Sequence, residues 1–216
     1  MGYHTQTQGI CILYPVEKKY PFTFFDTSGT NFPIRKEKMK KDLDDLLSED
    51  PPHEINKKLM IDNLMTENFQ QTFIMQNSHV LLIVINRLQR EDERMIERIL
   101  HNKLNKDSKV YVVHNLKNTQ EIEDVENIIK NDIIDSFPVT AKKILKDFDS
   151  CYDFPHVFVE ERPSIWSNES PVKIEHVILA QEGSKAAEKY NKVTFEYLRS
   201  AINQSSDNNA FDFVSQ

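Results

Sequence analysis

Asp26-Thr27-Ser28-Gly29 is the tetrapeptide of this chain best suited to phosphate chemistry. It follows Phe22-Thr23-Phe24-Phe25, an apolar run that reads as a strand, and so lies at the carboxyl edge where open α/β sheets bind ligands. A carboxylate there can hold magnesium through water, and a glycine amide can meet a terminal phosphate. The same four residues also suit an ordinary turn, because Asp, Ser and Gly are all turn formers. Two more polar segments flank strand-like runs. His4-Thr5-Gln6-Thr7-Gln8-Gly9 precedes Ile10-Cys11-Ile12-Leu13-Tyr14, and Asn115-Leu116-Lys117-Asn118 follows Lys109-Val110-Tyr111-Val112-Val113-His114.

The elements that must position these segments alternate between strand and helix. His79 to Asn86 is an unbroken apolar run, as a strand buried on both faces requires, and Lys109 to His114 repeats that character. Further strands are expected at His156–Val159 and Ile174–Leu179. Helices are expected over 42–47, 54–75, 91–104, 120–134 and 184–202. In the fourth, Ile122, Val125, Ile128 and Ile129 share one face; the third opens with acidic residues, as the helix dipole favours. The alternation predicts an α/β fold: a mostly parallel sheet with helices on both faces. One domain is expected over 1–203, followed by a disordered tail over 204–216 that is rich in Asn and Ser.

Composition narrows the function. The 216 residues carry a net charge of −7 and no dense basic block, which disfavours nucleic acid as a partner. No run of about 18 apolar residues occurs, so no transmembrane segment is expected, and the first residues do not read as a signal peptide. Cys11 and Cys151 lack metal-ligand spacing and read as thiols in a reducing cytoplasm. His79, His114, His156 and His176 read as structural. Arg87 and Arg90 are expected to pair with Glu91, Asp92 or Glu93, and Trp166 to anchor a loop. With four glycines in all, none preceding a lysine at the spacing of a GxxxxGK[ST] loop, a phosphate-binding P-loop is absent from this sequence.

Thr-Gln-Gly-Ile before one strand and Asp-Thr-Ser-Gly after the next resemble the switch motifs of the dynamin-like GTPases, in the branch of the guanylate-binding proteins and atlastins. The resemblance implies a P-loop NTPase-like fold missing its first strand, P-loop and first helix. It implies that Thr7 contacts magnesium and places the attacking water, that Asp26 binds magnesium through water, and that Gly29 meets the γ-phosphate. Asn115, Lys117 and Asn118 then stand in the guanine-reading loop. That loop keeps its first Asn but has Leu116 for Lys and Asn118 for Asp, and an amide offers guanine one acceptor atom where a carboxylate offers two. Gln181-Glu182-Gly183-Ser184 fits the place of the last nucleotide loop. In the family fold the missing strand lies between the strands ending at Phe25 and Asn86.

Two explanations of the missing P-loop stand side by side: a fragment of a longer GTPase, or a degenerate domain that closes its sheet or borrows a strand. The implied partners are a guanine nucleotide with Mg2+, and a second copy or a related GTPase domain. Turnover by this chain alone is expected to be weak or nil unless a P-loop is supplied. The alternatives are a non-catalytic pseudo-GTPase interaction module and a flavodoxin-like doubly wound domain without nucleotide.

Overall fold

A computed structural model of the chain describes residues 10–13, 22–27, 52–101, 108–142, 157–162 and 172–207. The chain divides into two compact units, Met1–Gln76 and Asn77–Gln216, where the sequence led to the expectation of one domain.

In the first unit β1 (Ile10–Leu13) and β2 (Phe24–Thr27) form an antiparallel pair, with Ile10 opposite Thr27 and Leu13 opposite Phe24. The second strand is displaced two residues from its expected position, so Asp26 and Thr27 belong to the strand itself. Helix α1 (Pro52–Asn77) ends the unit. It opens on a proline, whose fixed φ and missing N–H suit the first helical turn. Phe73 of α1 meets Phe25 edge-on with ring centroids 6.0 Å apart, and Phe69 stacks on Phe73 at 6.4 Å. The helix expected over 42–47 lies outside the described residues.

The second unit holds a five-stranded mixed sheet in the order β3-β4-β7-β6-β5. Its strands are β3 (Val80–Ile85), β4 (Lys109–Leu116), β5 (Val139–Lys142), β6 (Val157–Arg162) and β7 (Val172–Ala180). Among the described residues three α-helices accompany them: α2 (Arg90–His101), α3 (Ile122–Ile128) and, after the last strand, α4 (Lys185–Asp207). β3, β4 and β7 run parallel, while β6 pairs antiparallel with both β7 and β5. The sheet is therefore only half parallel. Residues 163–171, which join β6 to β7, are too few for a crossover connection, and a short link between neighbours forces the antiparallel direction. β5 was not anticipated; Val-Thr-Ala-Lys is too short and too polar to announce a strand.

Alternate residues of the central strands supply two cores, as the two-residue period of a strand requires. Leu116, Ile178, Ala180 and Phe158 join Val125, Ile128, Ile129 and Ile133 in one cluster, with Ala186 and Tyr190 from the start of α4. Tyr111, Val113, Val177 and Val157 join Leu198 and Ala201 of α4 in the other. Tyr197 of α4 meets Tyr111 edge-on and donates its hydroxyl to Glu175 at 2.6 Å.

Two local features depart from the expected helices. After Ile128 the expected α-helix widens into a π turn, Ile129–Ile134, where the Asp135 amide donates to the Lys130 carbonyl. Ile128, Ile129 and Ile133 all face inward across this change of turn, at spacings that also keep them on one face of a helix. At the other end of the unit, α4 continues to Asp207, past the expected start of the tail. Ser205 is buried there and donates to the Ala201 carbonyl one turn back, so a serine that signals a chain end in composition serves the helix here.

Candidate functional site

The carboxyl ends of β4 and β7 lie side by side, and their loops are bound to each other. β4 reaches Leu116, two residues beyond its expected end, so Asn115 is a half-buried strand residue. A tight turn follows, in which the Thr119 amide donates to the Leu116 carbonyl at 2.9 Å and Lys117 and Asn118 are exposed. The Gln181 amide donates to the Thr119 carbonyl and the Ala186 amide to the Gln120 carbonyl, each at 3.1 Å. The Gln120 side-chain amide reaches Gln181 Oε1 at 3.2 Å.

α4 is anchored at this edge by its own first turn. Ser184 caps it, accepting from the Ala187 amide at 3.1 Å while donating to the Gln181 carbonyl at 2.6 Å. Gly183 supplies the left-handed residue, φ 76°, that turns the strand into the helix. Lys189 of α4 pairs with Glu126 of α3 at 2.7 Å.

Side chains of α4 also bond the end of β7. Among the described residues β6 starts opposite Val177, and the last residues of β7 pair with β4 alone. Thr194 donates its hydroxyl to the Ile178 carbonyl at 2.6 Å. Asn191 accepts from the Ala180 amide at 2.7 Å and donates to the Ala180 carbonyl at 3.0 Å, as a neighbouring strand would.

Of the expected site residues, Asn115, Lys117 and Asn118 are thus brought together with Gln181–Ser184 on one sheet edge. Asp26 is exposed in β2 opposite Cys11, in the other unit. Thr7 and Gly29 lie outside the described residues, as do Cys151, His156 and Trp166. Among the described residues no group of three or more His, Cys, Asp or Glu side chains is placed to hold a metal. The edge offers an amide from the end of β4 and an ammonium and a second amide from the turn that follows it. Arg87 pairs with Asp132 of the π turn through two bonds of 3.0 and 3.2 Å rather than with the acidic start of α2. The sequence, which suggested a local partner, gave no sign of this one 45 residues away.

A second polar cluster, not foreseen from the sequence, lies inside the sheet. His114 of β4, His176 of β7 and Glu160 of β6 are all essentially without solvent contact. His114 Nε2 lies 3.0 Å from His176 Nδ1, and His176 Nε2 lies 3.4 Å from Glu160 Oε2. Arg162 binds the other oxygen of Glu160 and lies over the Phe137 ring at 5.4 Å, and Phe137 in turn packs on His176 at 5.0 Å. Burial, reinforced by the neighbouring His176, pushes the His114 imidazole down to about 3. Glu160 is held below the ordinary carboxyl value: burial opposes this, but the hydrogen bonds from His176 and Arg162 outweigh it. No family model, no curated protein and no solved structure matches this chain.

Proposed function

We propose that this chain is a GTPase-type domain of the dynamin-like kind without its phosphate-binding loop, a P-loop NTPase-like fold whose helices lie on both faces of the sheet. The observation that carries this reading is the strand topology. Removing the first strand from such a fold leaves an antiparallel pair bonded only to itself and a parallel set that begins at the next strand. The pair β1–β2 and the set β3–β4–β7 have that pattern, with the second and third members of the parallel set ending in the two expected base-reading loops. Asn115, Lys117 and Asn118 would then face the base. Thr7 and Asp26 would hold Mg2+ through the hard oxygen donors it takes, and Gly29 would meet the γ-phosphate. A P-loop normally supplies most of the phosphate affinity, so this chain by itself is a weak or inactive hydrolase.

Magnesium-dependent binding of a fluorescent GTP analogue, with GDP, ATP and XTP as competitors, tests the reading. Micromolar binding displaced by GTP but not ATP, and weakened at least tenfold in Asn115→Ala, supports it; no binding at millimolar nucleotide removes the nucleotide site. Turnover normal for a GTPase and lost in Thr7→Ala would refute the weak-hydrolase part. The second reading, a non-catalytic module that pairs with a related domain, is favoured by β3. Among the described residues it is an edge strand of six uninterrupted apolar residues, and it exposes Leu82 and Val84. Such an edge favours pairing with another strand.

A further inference from the structure

We propose that the His114–His176–Glu160 cluster is an acid-sensitive latch: one proton taken up by the histidine pair releases Phe137 and β5 from the sheet while β3, β4 and β7 stay paired. The protonation pattern of the cluster is fixed from its outer end. Glu160, ionised beside Arg162, can only accept, so His176 carries its proton on Nε2. His176 Nδ1 is then a lone pair and receives the Nε2–H of His114. That leaves His114 Nδ1 as a bare lone pair, buried and without a hydrogen-bond partner among the described residues.

The pair has room for one bridging proton. A second proton placed on His176 Nδ1 would set two N–H groups against each other across 3.0 Å. The alternative is a relay. A proton from solvent joins His114 Nδ1, and the pair then shares one positive charge through the proton between His114 Nε2 and His176 Nδ1. Only N–H bonds form and break, and solvent supplies the single proton. His114 then presents a buried N–H with nothing to accept it, a state that a closed structure disfavours.

Among the described residues no other group, the Tyr190 hydroxyl included, lies within hydrogen-bond reach of His114 Nδ1 to relieve this cost. Ile85 of β3 stands opposite His114, and Ile129 and Ile133 of the π turn pack in the neighbouring core. Glu126 and Asp132 on those helical turns are engaged with Lys189 and Arg87. The Tyr190 phenol of α4 is raised by burial and by Glu126, and so stays neutral. Glu160 and Arg162 of β6 already bind each other. Relief therefore requires opening beside the pair, and the described residue that lies on it is Phe137, which leads into β5. Phe137 lies on His176, and β5 is a four-residue edge strand bonded to β6 alone among the described strands. The adjoining π turn has the weaker hydrogen-bond geometry of such turns.

Native-state hydrogen exchange on the full chain, with rates corrected for intrinsic exchange at each pH, tests the latch. Between pH 7 and pH 5 the opening of residues 129–142 should grow about 25-fold, the factor for one histidine titrating normally when open and near 3 when closed. Amides of β4 and β7 should keep their protection. His114→Gln, whose amide can still donate to His176 but does not titrate, should abolish the pH dependence. Should that variant fail to fold, 15N spectra of the wild-type imidazoles decide: at pH 7 His114 must be the Nε2–H tautomer with a bare Nδ1. Equal protection at both pH values, an unchanged pH dependence in His114→Gln, or an Nδ1–H tautomer would each overturn the proposal.

Discussion

Asn191 offers the sharpest test of how the carboxyl edge of the sheet is held. Its side chain satisfies both backbone groups of Ala180, a residue only 5% exposed, beyond the described pairing of β6 with β7. In Asn191→Ala both bonds are lost, at about 1 kcal/mol net each, and a buried N–H and C=O are left unpaired, which costs about 1–3 kcal/mol per group where water cannot enter. A loss of about 3 kcal/mol is expected, since one of the two groups regains water through the space left by the truncated side chain. Asn191→Leu keeps the volume and removes only the hydrogen bonds, so it should lose as much or more. Urea unfolding followed through the amide resonances of β4 and β7 reads this unit alone, and the m-value should stay constant. A loss below about 1 kcal/mol for Asn191→Ala at unchanged m would refute the claim that α4 stands in for a strand here.

The turn into α4 gives a second expectation. Gly183 has φ 76° and open space where a Cβ would stand, so Gly183→Ala should cost about 1 kcal/mol through backbone strain alone, with Gly183→Asn closer to neutral in the same titration. Glu160 sets the acid limb of stability. Its carboxyl titrates below the ordinary 4.5 in the folded chain, so the unfolded chain binds the proton more readily. The contribution is complete above that ordinary value and is lost as pH falls through the folded one. Thermal melts of Glu160→Gln should therefore start lower at pH 7 and fall less than wild type between pH 5 and pH 3; parallel curves would remove Glu160 from the account.

The sequence made legible the elements that carry strong apolar pattern. Runs such as Val80–Ile85 and Val110–Val113 read as strands, because every residue is apolar, aromatic or β-branched and the runs are short. The parallel direction of β3, β4 and β7 was legible for the same reason, since helices separate those strands. β5 was not, because four residues of mixed polarity owe their strand to pairing with β6 and not to propensity. The polar cluster was invisible for a different reason. His114, Glu160 and His176 are 46 and 16 residues apart along the chain, and only the sheet order β4-β7-β6 makes neighbours of them. Of the candidate site, the loop after β4 was found by its residue types. That it is bonded to the loop after β7 depends on main-chain groups of Thr119, Gln120, Gln181 and Ala186, which have no sequence signature.

Those main-chain bonds decide how a nucleotide-binding experiment is to be read. The two loops are fastened by the strand ends, by the Ser184 cap and by Asn191, all within one unit and all independent of any ligand. An edge built in this way is already formed before a base arrives, so the ordering cost that weakens flexible sites is small here. Weak binding would then reflect missing phosphate contacts, and it should improve little when the loops are made more rigid. Base discrimination is the better discriminant, because under the proposed reading it depends on Asn115, Lys117 and Asn118 and survives the loss of phosphate affinity. A chain that binds GTP weakly but prefers it to ATP retains a reading edge. One that binds both equally weakly has kept the scaffold without the recognition, and its exposed β3 then becomes the surface to pursue.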